Sequence, residues 1–417
     1  MRSGVGAHPY RFAGGADDAL FADREWGRAH GLRRSRNRAA AFARELELDL
    51  EGLRARAPTT IIVAGSKGKG TAATYASATL AAAGLRVGTL TSPGLRSNRE
   101  RIRVSGRAVS PTAYAALVDR VGSALATPGR PLPDDGYLSP TGLFTLAAVR
   151  HFLDAACDAW VLEAGMGGAS DEVSLFAARV VALTSIFGEH LGIIGNSVGD
   201  IAREKLGVVS DETEAVVTQP QAEPAAASVL REESLRTTVR MVRDDEVDGV
   251  PWPPALVGLN ARLGVAAARE LLGDATTHVD PAALRETLAS VALPGRMSTH
   301  QRGAQTWFVD AATNARAASA ALRWSCESGG GPDTVLACIP DGKDAAGVRS
   351  ALESANVVPV RTDAAHLAFS GWSGPLPSLR EIDLDTVGPR VLALGTVHFM
   401  GDVLELLDVD TECSFRC

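Results

Sequence analysis

Lysine is almost missing from this chain. Among 42 basic residues only four are lysine, Lys67, Lys69, Lys205 and Lys343, and arginine carries the rest of the positive charge. With lysine unused as a routine surface cation, each survivor marks a place to ask what a compact ammonium or a reactive amine does that a planar guanidinium cannot. Long apolar runs are missing too: nothing approaches the ~18 uninterrupted apolar residues of a membrane span. The start, Met1 to Gly15, is glycine-rich and lacks the apolar core of a secretory signal. The five cysteines (Cys157, Cys326, Cys338, Cys413 and Cys417) are odd in number, form no C-x-x-C pair, and have no histidine beside them in the tail. Free thiols in a reducing cytoplasm are therefore expected, not a disulfide framework or a metal knuckle. A basic surplus is also lacking, since the net charge is -7. The arginine-rich run from Arg24 to Arg38 reads as the exposed face of a helix, not a nucleic-acid arm. The expectation is a cytoplasmic protein with neither nucleic acid nor membrane as a partner.

At 417 residues the chain is too long for one ordinary core. Its 46% hydrophobic and 22% charged content are those of a globular protein. Residues 36–56 read as helix, stopped at Ala57-Pro58. Thr59 to Ala64 reads as a buried strand running into Gly65-Ser66-Lys67-Gly68-Lys69-Gly70-Thr71, followed by an alanine-rich helix closed by Gly84 and a strand from Arg86 to Leu90. Strand, glycine loop, helix, strand opens a parallel α/β nucleotide-binding sheet. A helix over Gly142–Ala156, strands at Ala159–Glu163 and Val180–Ile186, and helices at Val198–Val208 and Ala261–Leu272 extend it, while Ala126–Ser139 reads as a loop. Pro294-Gly295-Arg296 marks a boundary. A second alternation follows: strands at Gln305–Asp310, Thr334–Ile339, Val357–Val360 and Arg390–Leu394, a helix from Ala315, and a last helix from Gly401. The fold class expected is α/β, with a P-loop parallel-sheet domain over 1–293 and a smaller Rossmann-like domain over 294–417.

The glycine loop carries the clearest chemistry. Glycines let backbone amides approach an anion, and the following helix adds its N-terminal dipole. Lys69 is placed to meet outer phosphates as a point charge, and Thr71 offers a hydroxyl to Mg²⁺. A glycine separates that lysine from the threonine, unlike the usual Walker spacing.

Gly-x-x-Gly-Lys-Gly-Thr after a strand resembles the loop of folylpolyglutamate synthases and the wider Mur ligase family. Further segments follow in the family's order: Thr91-Ser92-Pro93 with Glu100 to Gly106, Val161 to Gly168, Glu189-His190, Ile201 to Gly207, Pro294-Gly295-Arg296, Asp310 to Asn314, Asp341-Gly342-Lys343-Asp344 and Gly395-Thr396. The likeness runs from about residue 20 to 405. It implies a Mur-ligase central-type domain, with ATP cradled by Gly65, Gly68, Lys69, Gly70 and Thr71. It implies Mg²⁺ held by Thr71, Ser92, Glu163 and His190, and a carbamoylated lysine at Lys205. Arg296 and Asp310 would contact ATP from the second domain, with Lys69, Glu163, His190 and Lys205 as the catalytic set. Lys343 stays open between a site role on domain closure and a surface role. The implied reaction joins a small-molecule carboxylate to an amino acid or amine through an acyl phosphate, in a monomer.

The recognition positions differ from the family pattern. Gly94 stands for a histidine, Ser170-Asp171-Glu172-Val173-Ser174 for Leu-Asp-Ala-Thr-Asn, and Thr313 for a second-domain histidine. The adenine-side run Gly-x-His-Gln-x-x-Asn reads Gly258 to Gly264, with Asn260 placed to supply an amide from one turn away. Because the phosphate, metal and carbamate positions are intact, the reading preferred from sequence is a ligase for a non-folate carboxylate. A divergent folylpolyglutamate or dihydrofolate synthase is the alternative, and a non-catalytic nucleotide-binding scaffold is the alternative of another class.

Overall fold

The computed structural model describes residues 32–56, 59–243, 247–362 and 367–416. The readings of Met1–Gly15, of the arginine-rich run before residue 32, of the stop at Ala57-Pro58 and of Cys417 lie outside the described residues. Cys157, Cys326, Cys338 and Cys413 are free thiols. No helix among the described residues is long and apolar enough to cross a membrane.

The chain divides into two compact units. Of the described residues, the larger holds 32–94, 98–292 and those from 412; the smaller holds 95–97 with 293–411. The tail therefore departs from the expected 294–417 domain. Its backbone completes the larger unit: Ala108 N donates to Glu412 O at 2.8 Å and Ser414 N to Gly106 O at 2.9 Å.

The larger unit begins with α1 (Arg36–Glu45) and α2 (Leu50–Arg56). Ser35 caps α1, its hydroxyl accepting from Arg38 N at 2.9 Å. One helix was the expectation over 36–56; the break comes at Glu47, whose φ of 57° turns the chain so that Leu48 N bonds back to Ala43 O. Then come β1 (Thr59–Ala64), α3 (Lys69–Ala82), β2 (Val87–Leu90), β3 (Ile102–Val104), β4 (Arg107–Ala108), α4 (Pro111–Ala126), α5 (Pro140–Asp154) and β5 (Ala159–Glu163). The rest is β6 (Val180–Leu183), α6 (Val198–Leu206), β7 (Ala215–Thr218), α7 (Pro224–Glu233), β8 (Thr238–Met241), α8 (Ala255–Leu272) and α9 (Pro281–Ala289).

Eight strands form one sheet in the order β4-β3-β2-β5-β1-β6-β7-β8. From β2 to β8 every pairing is parallel, and β3 and β4 extend it antiparallel. Strands covered on both faces read as continuous apolar runs, as Thr59 to Ala64 does. Because β1 lies between β5 and β6, the loops leaving the carboxyl ends of these three strands emerge side by side, where open α/β sheets bind ligands. Helix α8 starts at Ala255, six residues before the expected Ala261, and lies close along alanine-rich α3. A Cβ on Gly264 would stand 2.1 Å from Ala72 O.

The smaller unit contains β9 (Ser298–Arg302), β10 (Gln305–Asp310), α10 (Ala315–Gly329), β11 (Thr334–Cys338), α11 (Ala345–Ala351), β12 (Val357–Pro359), β13 (Arg390–Gly395) and α12 (Val397–Leu406). Its sheet order is β12-β11-β13-β10-β9, parallel except for β9. Alternate residues of β10 serve opposite faces: Trp307 and Val309 join one apolar cluster and Phe308 the other. Helix α12 begins four residues before the expected Gly401, with Thr396 as its N-cap.

Candidate functional site

The chain leaves β1 through Gly65, at φ 130°, and enters α3 through Gly68, at φ 86°. Glycine is required at both on two counts. The backbone is left-handed, and a Cβ would lie 2.0 Å from Thr184 Oγ1 at Gly65 and 2.0 Å from Asn260 Nδ2 at Gly68. Gly68 caps α3 without any side-chain cap bond. The first amides of α3 are thus left for an anion. Lys69 Nζ folds back over the loop, donating to Gly65 O at 3.0 Å and Ser66 O at 3.3 Å. Thr71 is buried in the first turn of the helix.

Lys205 reaches the same loop from α6. It is 0% exposed, and its Nζ donates to Gly65 O at 2.9 Å and Met166 O at 3.1 Å, with Glu189 Oε1 3.7 Å away. One carbonyl oxygen therefore receives two lysines from separate helices. Burial pushes the Lys205 amine down to about 8; the charge of Lys69 acts the same way, and Glu189 opposes it. Glu204, the preceding residue, holds α6 in place, its Oε1 accepting from Gly168 N at 3.2 Å and Ser170 N at 2.8 Å. Gly168 permits this approach, since a Cβ there would meet Glu204 O at 2.4 Å.

Glu163 ends β5 and is 5% exposed. Its Oε2 accepts from Ser92 N at 2.7 Å and lies 3.4 Å from where a Cβ of Gly70 would stand, so the carboxylate faces the start of α3. Ser92 Oγ accepts from Arg101 Nη1 at 3.3 Å; buried Arg101 in turn lies 4.6 Å over the Phe144 ring. His190 is exposed on the loop after β6 and takes a φ of 56°, a conformation uncommon outside glycine. Among the described residues no three His, Cys, Asp or Glu side chains gather for a metal. Mg²⁺ does not need such a cage, being bound through one or two carboxylates together with phosphate oxygens and waters. A buried carboxylate beside an anion cradle fits it, because desolvating that carboxylate is costly without a cation.

Asn260, expected from sequence on the adenine side, packs against the phosphate loop. It is 2% exposed, with Nδ2 donating to Leu256 O at 2.8 Å and Oδ1 accepting from Gln219 Nε2 at 2.7 Å. Its carboxamide abuts Gly68. Arg296 and Asp310 belong to the smaller unit. There Asp310 Oδ2 accepts from Met297 N at 2.8 Å, and burial raises its pKa against the opposing charge of Arg296. Lys343 is exposed.

Two carboxylates escaped the sequence reading. Glu189 was noted only beside His190, yet it bridges Lys67 (3.8 Å) and Lys205 (3.7 Å). Glu172 replaces the family's alanine and is buried with Asp171 against Arg34, whose Nη1 lies 3.1 Å from Asp171 Oδ2 and 3.7 Å from Glu172 Oε2. Ser139 Oγ donates to Glu172 Oε1 at 2.9 Å. Burial, then the charge of Asp171, pushes Glu172 up to about 7 from its ordinary 4.5, with Arg34 opposing. The folded chain thus holds a proton that the unfolded chain releases between these values. The contribution of this group is largest at low pH and is lost as pH rises through about 7. Glu172→Gln is therefore expected to raise the melting temperature, relative to the parent, more at pH 8 than at pH 5.5. A difference equal at the two pH values would refute the assignment.

No protein-family model matches the chain. Dihydrofolate synthase/folylpolyglutamate synthase of Mycobacterium tuberculosis is 31% identical over 316 residues, 66% of this chain and 63% of that protein. The protein of the same name from Escherichia coli K12 is 31% identical over 276 residues, 63% of this chain and 62% of its own length. The chain thus spans less than two thirds of these curated relatives. Among solved structures, E. coli FolC in complex with DHPP and ADP superposes with a TM-score of 0.74 at 25% identity, covering 95% of this chain and 98% of that one. In sequence and in fold, the chain belongs to the folylpolyglutamate synthase branch of the Mur ligase family.

Proposed function

We propose that the chain is an ATP-dependent, ADP-forming ligase that joins a carboxylic acid to the amine of an amino acid. The observation that carries this is the phosphate loop itself, with Lys69 and buried Lys205 converging on Gly65 O beside the carboxylate of Glu163. The amides of Gly68 to Thr71 receive the phosphates of ATP, and Lys69 exchanges its two carbonyl partners for phosphate oxygens. The substrate carboxylate attacks the γ-phosphorus, the bond to the β-phosphate oxygen breaks, and ADP leaves behind an acyl phosphate. The amine then attacks the acyl carbon, inorganic phosphate departs, and the amine loses a proton as the amide forms. Mg²⁺, held by Glu163 and His190 with the hydroxyls of Thr71 and Ser92, would supply charge neutralisation at the phosphates. Lys205, as its neutral amine, adds CO₂ and releases a proton, turning a buried cation into a carboxylate-like group.

A folate is the acid best supported. The curated relatives are named for folate chemistry, and the E. coli relative was solved with DHPP and ADP. The non-folate acid preferred from sequence gives way to this reading. It survives as the second reading on one observation, that Arg34, Asp171 and Glu172 pair within the segment the resemblance assigns to the acid pocket. Measuring ADP release with a folate or a pteroate plus L-glutamate, and with a panel of other acids and amines, decides between them. Release with the folate pair and a product heavier by one glutamyl unit is expected. Release only with another pair supports the second reading. ADP binding with no turnover for any pair leaves a nucleotide-binding scaffold.

A further inference from the structure

We infer that Gln219 is a positioning residue that holds the phosphate loop in its anion-binding shape, acting through Ser185 and Asn260; the inference rests on the proposed use of that loop for ATP. Gln219 follows β7, is 2% exposed, and lies outside every segment of family resemblance. Its Oε1 accepts from Ser185 Oγ at 3.0 Å and its Nε2 donates to Asn260 Oδ1 at 2.7 Å. Each neighbour then touches the loop. Ser66 N donates to Ser185 O at 3.1 Å, and the Asn260 carboxamide lies against Gly68 so closely that a Cβ there would be 2.0 Å from Nδ2. The relay thus closes a ring around Ser66, Lys67 and Gly68, gripping the loop at both ends.

The polarity of the ring is determined throughout. Leu256 O accepts from Asn260 Nδ2 at 2.8 Å, so Oδ1 must face Gln219, and only a donor suits it. Ser185 Oγ supplies a hydrogen to Oε1, which leaves Nε2 as that donor. A neighbouring amide, Gln221, fixes the strand ends around the ring, accepting from Ile186 N at 2.8 Å and donating to Thr184 O at 3.3 Å. The loop has no side-chain cap of its own at Gly68. Removing the Gln219 donor leaves a buried acceptor unpaired directly beneath the turn that aims the first amides of α3.

The test is Gln219→Met, which keeps length and apolar packing but removes the amide. ADP affinity by calorimetry, the KM values for ATP and for the amine, and the melting temperature are compared with the parent. The expected result is a rise of about tenfold in the ADP Kd and the ATP KM, the amine KM staying within about twofold. Gln219→Leu, which also removes the amide and adds no charge, gives the same split and serves if the methionine variant does not fold. Combining Gln219→Met with Asn260→Leu is expected to cost no more than the worse single change, since both break one relay. Unchanged ADP affinity, an equal rise in both KM values, or additive losses overturn the inference. A parent chain that binds no ADP overturns the proposed function, and this inference with it; a parent that binds ADP beside an unaffected variant overturns the inference alone.

Discussion

Lys205→Arg is expected to lower turnover by about 10²–10³-fold while leaving ADP affinity within a few-fold of the parent. The guanidinium keeps the positive charge but cannot form a stable carbamate, and its planar fork cannot reproduce two bonds to Gly65 O and Met166 O from a single Nζ. The pH dependence follows from the lowered pKa. Carbamate formation needs the neutral amine, so CO₂ uptake rises with pH up to and through about 8 and falls steeply below it. Activity measured in CO₂-depleted buffer at pH 6.5 should decline and return on adding bicarbonate at pH 8. Lys205→Ala should recover part of its activity with a short-chain carboxylic acid, which fills the vacated space with the missing carboxylate. An arginine variant that turns over at the parental rate would remove Lys205 from the reaction.

Gly264→Asn, which restores the family's residue at this position, is expected to destabilise the protein by about 3 kcal/mol, with a drop of roughly 6 °C or more in melting temperature. Gly264 lies on α8 where it crosses α3, and a Cβ there would stand 2.1 Å from Ala72 O and 2.9 Å from Ala76 N. Both obstacles are backbone, so no side-chain rotation relieves them, and the two helices must separate. That separation also withdraws Asn260, four residues back on α8, from beneath Gly68. The substitution should therefore weaken ATP binding, although it supplies the amide that the family uses there. A variant that melts within about 2 °C of the parent and binds ATP more tightly would show that the position is an open adenine contact.

Local grammar was the legible part. The run of Thr59 to Thr71 carries its own strand, turn and helix signals, and the structure realises them within two residues. Glu163 became a candidate only through family resemblance, and Lys205, marked by the scarcity of lysine, gained a role only there, because what makes them special lies far along the chain: Lys205 bonds to a carbonyl 140 residues away. Arg34, 137 residues from Asp171, was read as part of an exposed helical face, yet it precedes α1 and pairs with buried carboxylates. The burial of Asn260 was not legible, because helical spacing gives a residue's phase, not whether that face meets solvent or a glycine loop. The short strand Ala215–Thr218 and the polar Ser298–Arg302 went unseen, the first for its brevity and the second because its pairing partner, not its own composition, holds it extended.

The tail that returns to the larger unit bears on how the molecule is made. Ala292 N bonds to Ser414 O at 2.9 Å, so the points where the chain departs for the smaller unit and comes back from it are tied together. In topology the smaller unit is a long excursion inserted between residues 292 and 412 of the larger one. During synthesis the larger unit is translated up to residue 292 but waits, with the edge at Gly106 to Ala108 uncovered, until residues 412–414 have emerged. The excursion is therefore translated in full before its host is sealed. Truncation just before Glu412 would injure the unit that was translated first, not the one translated after it.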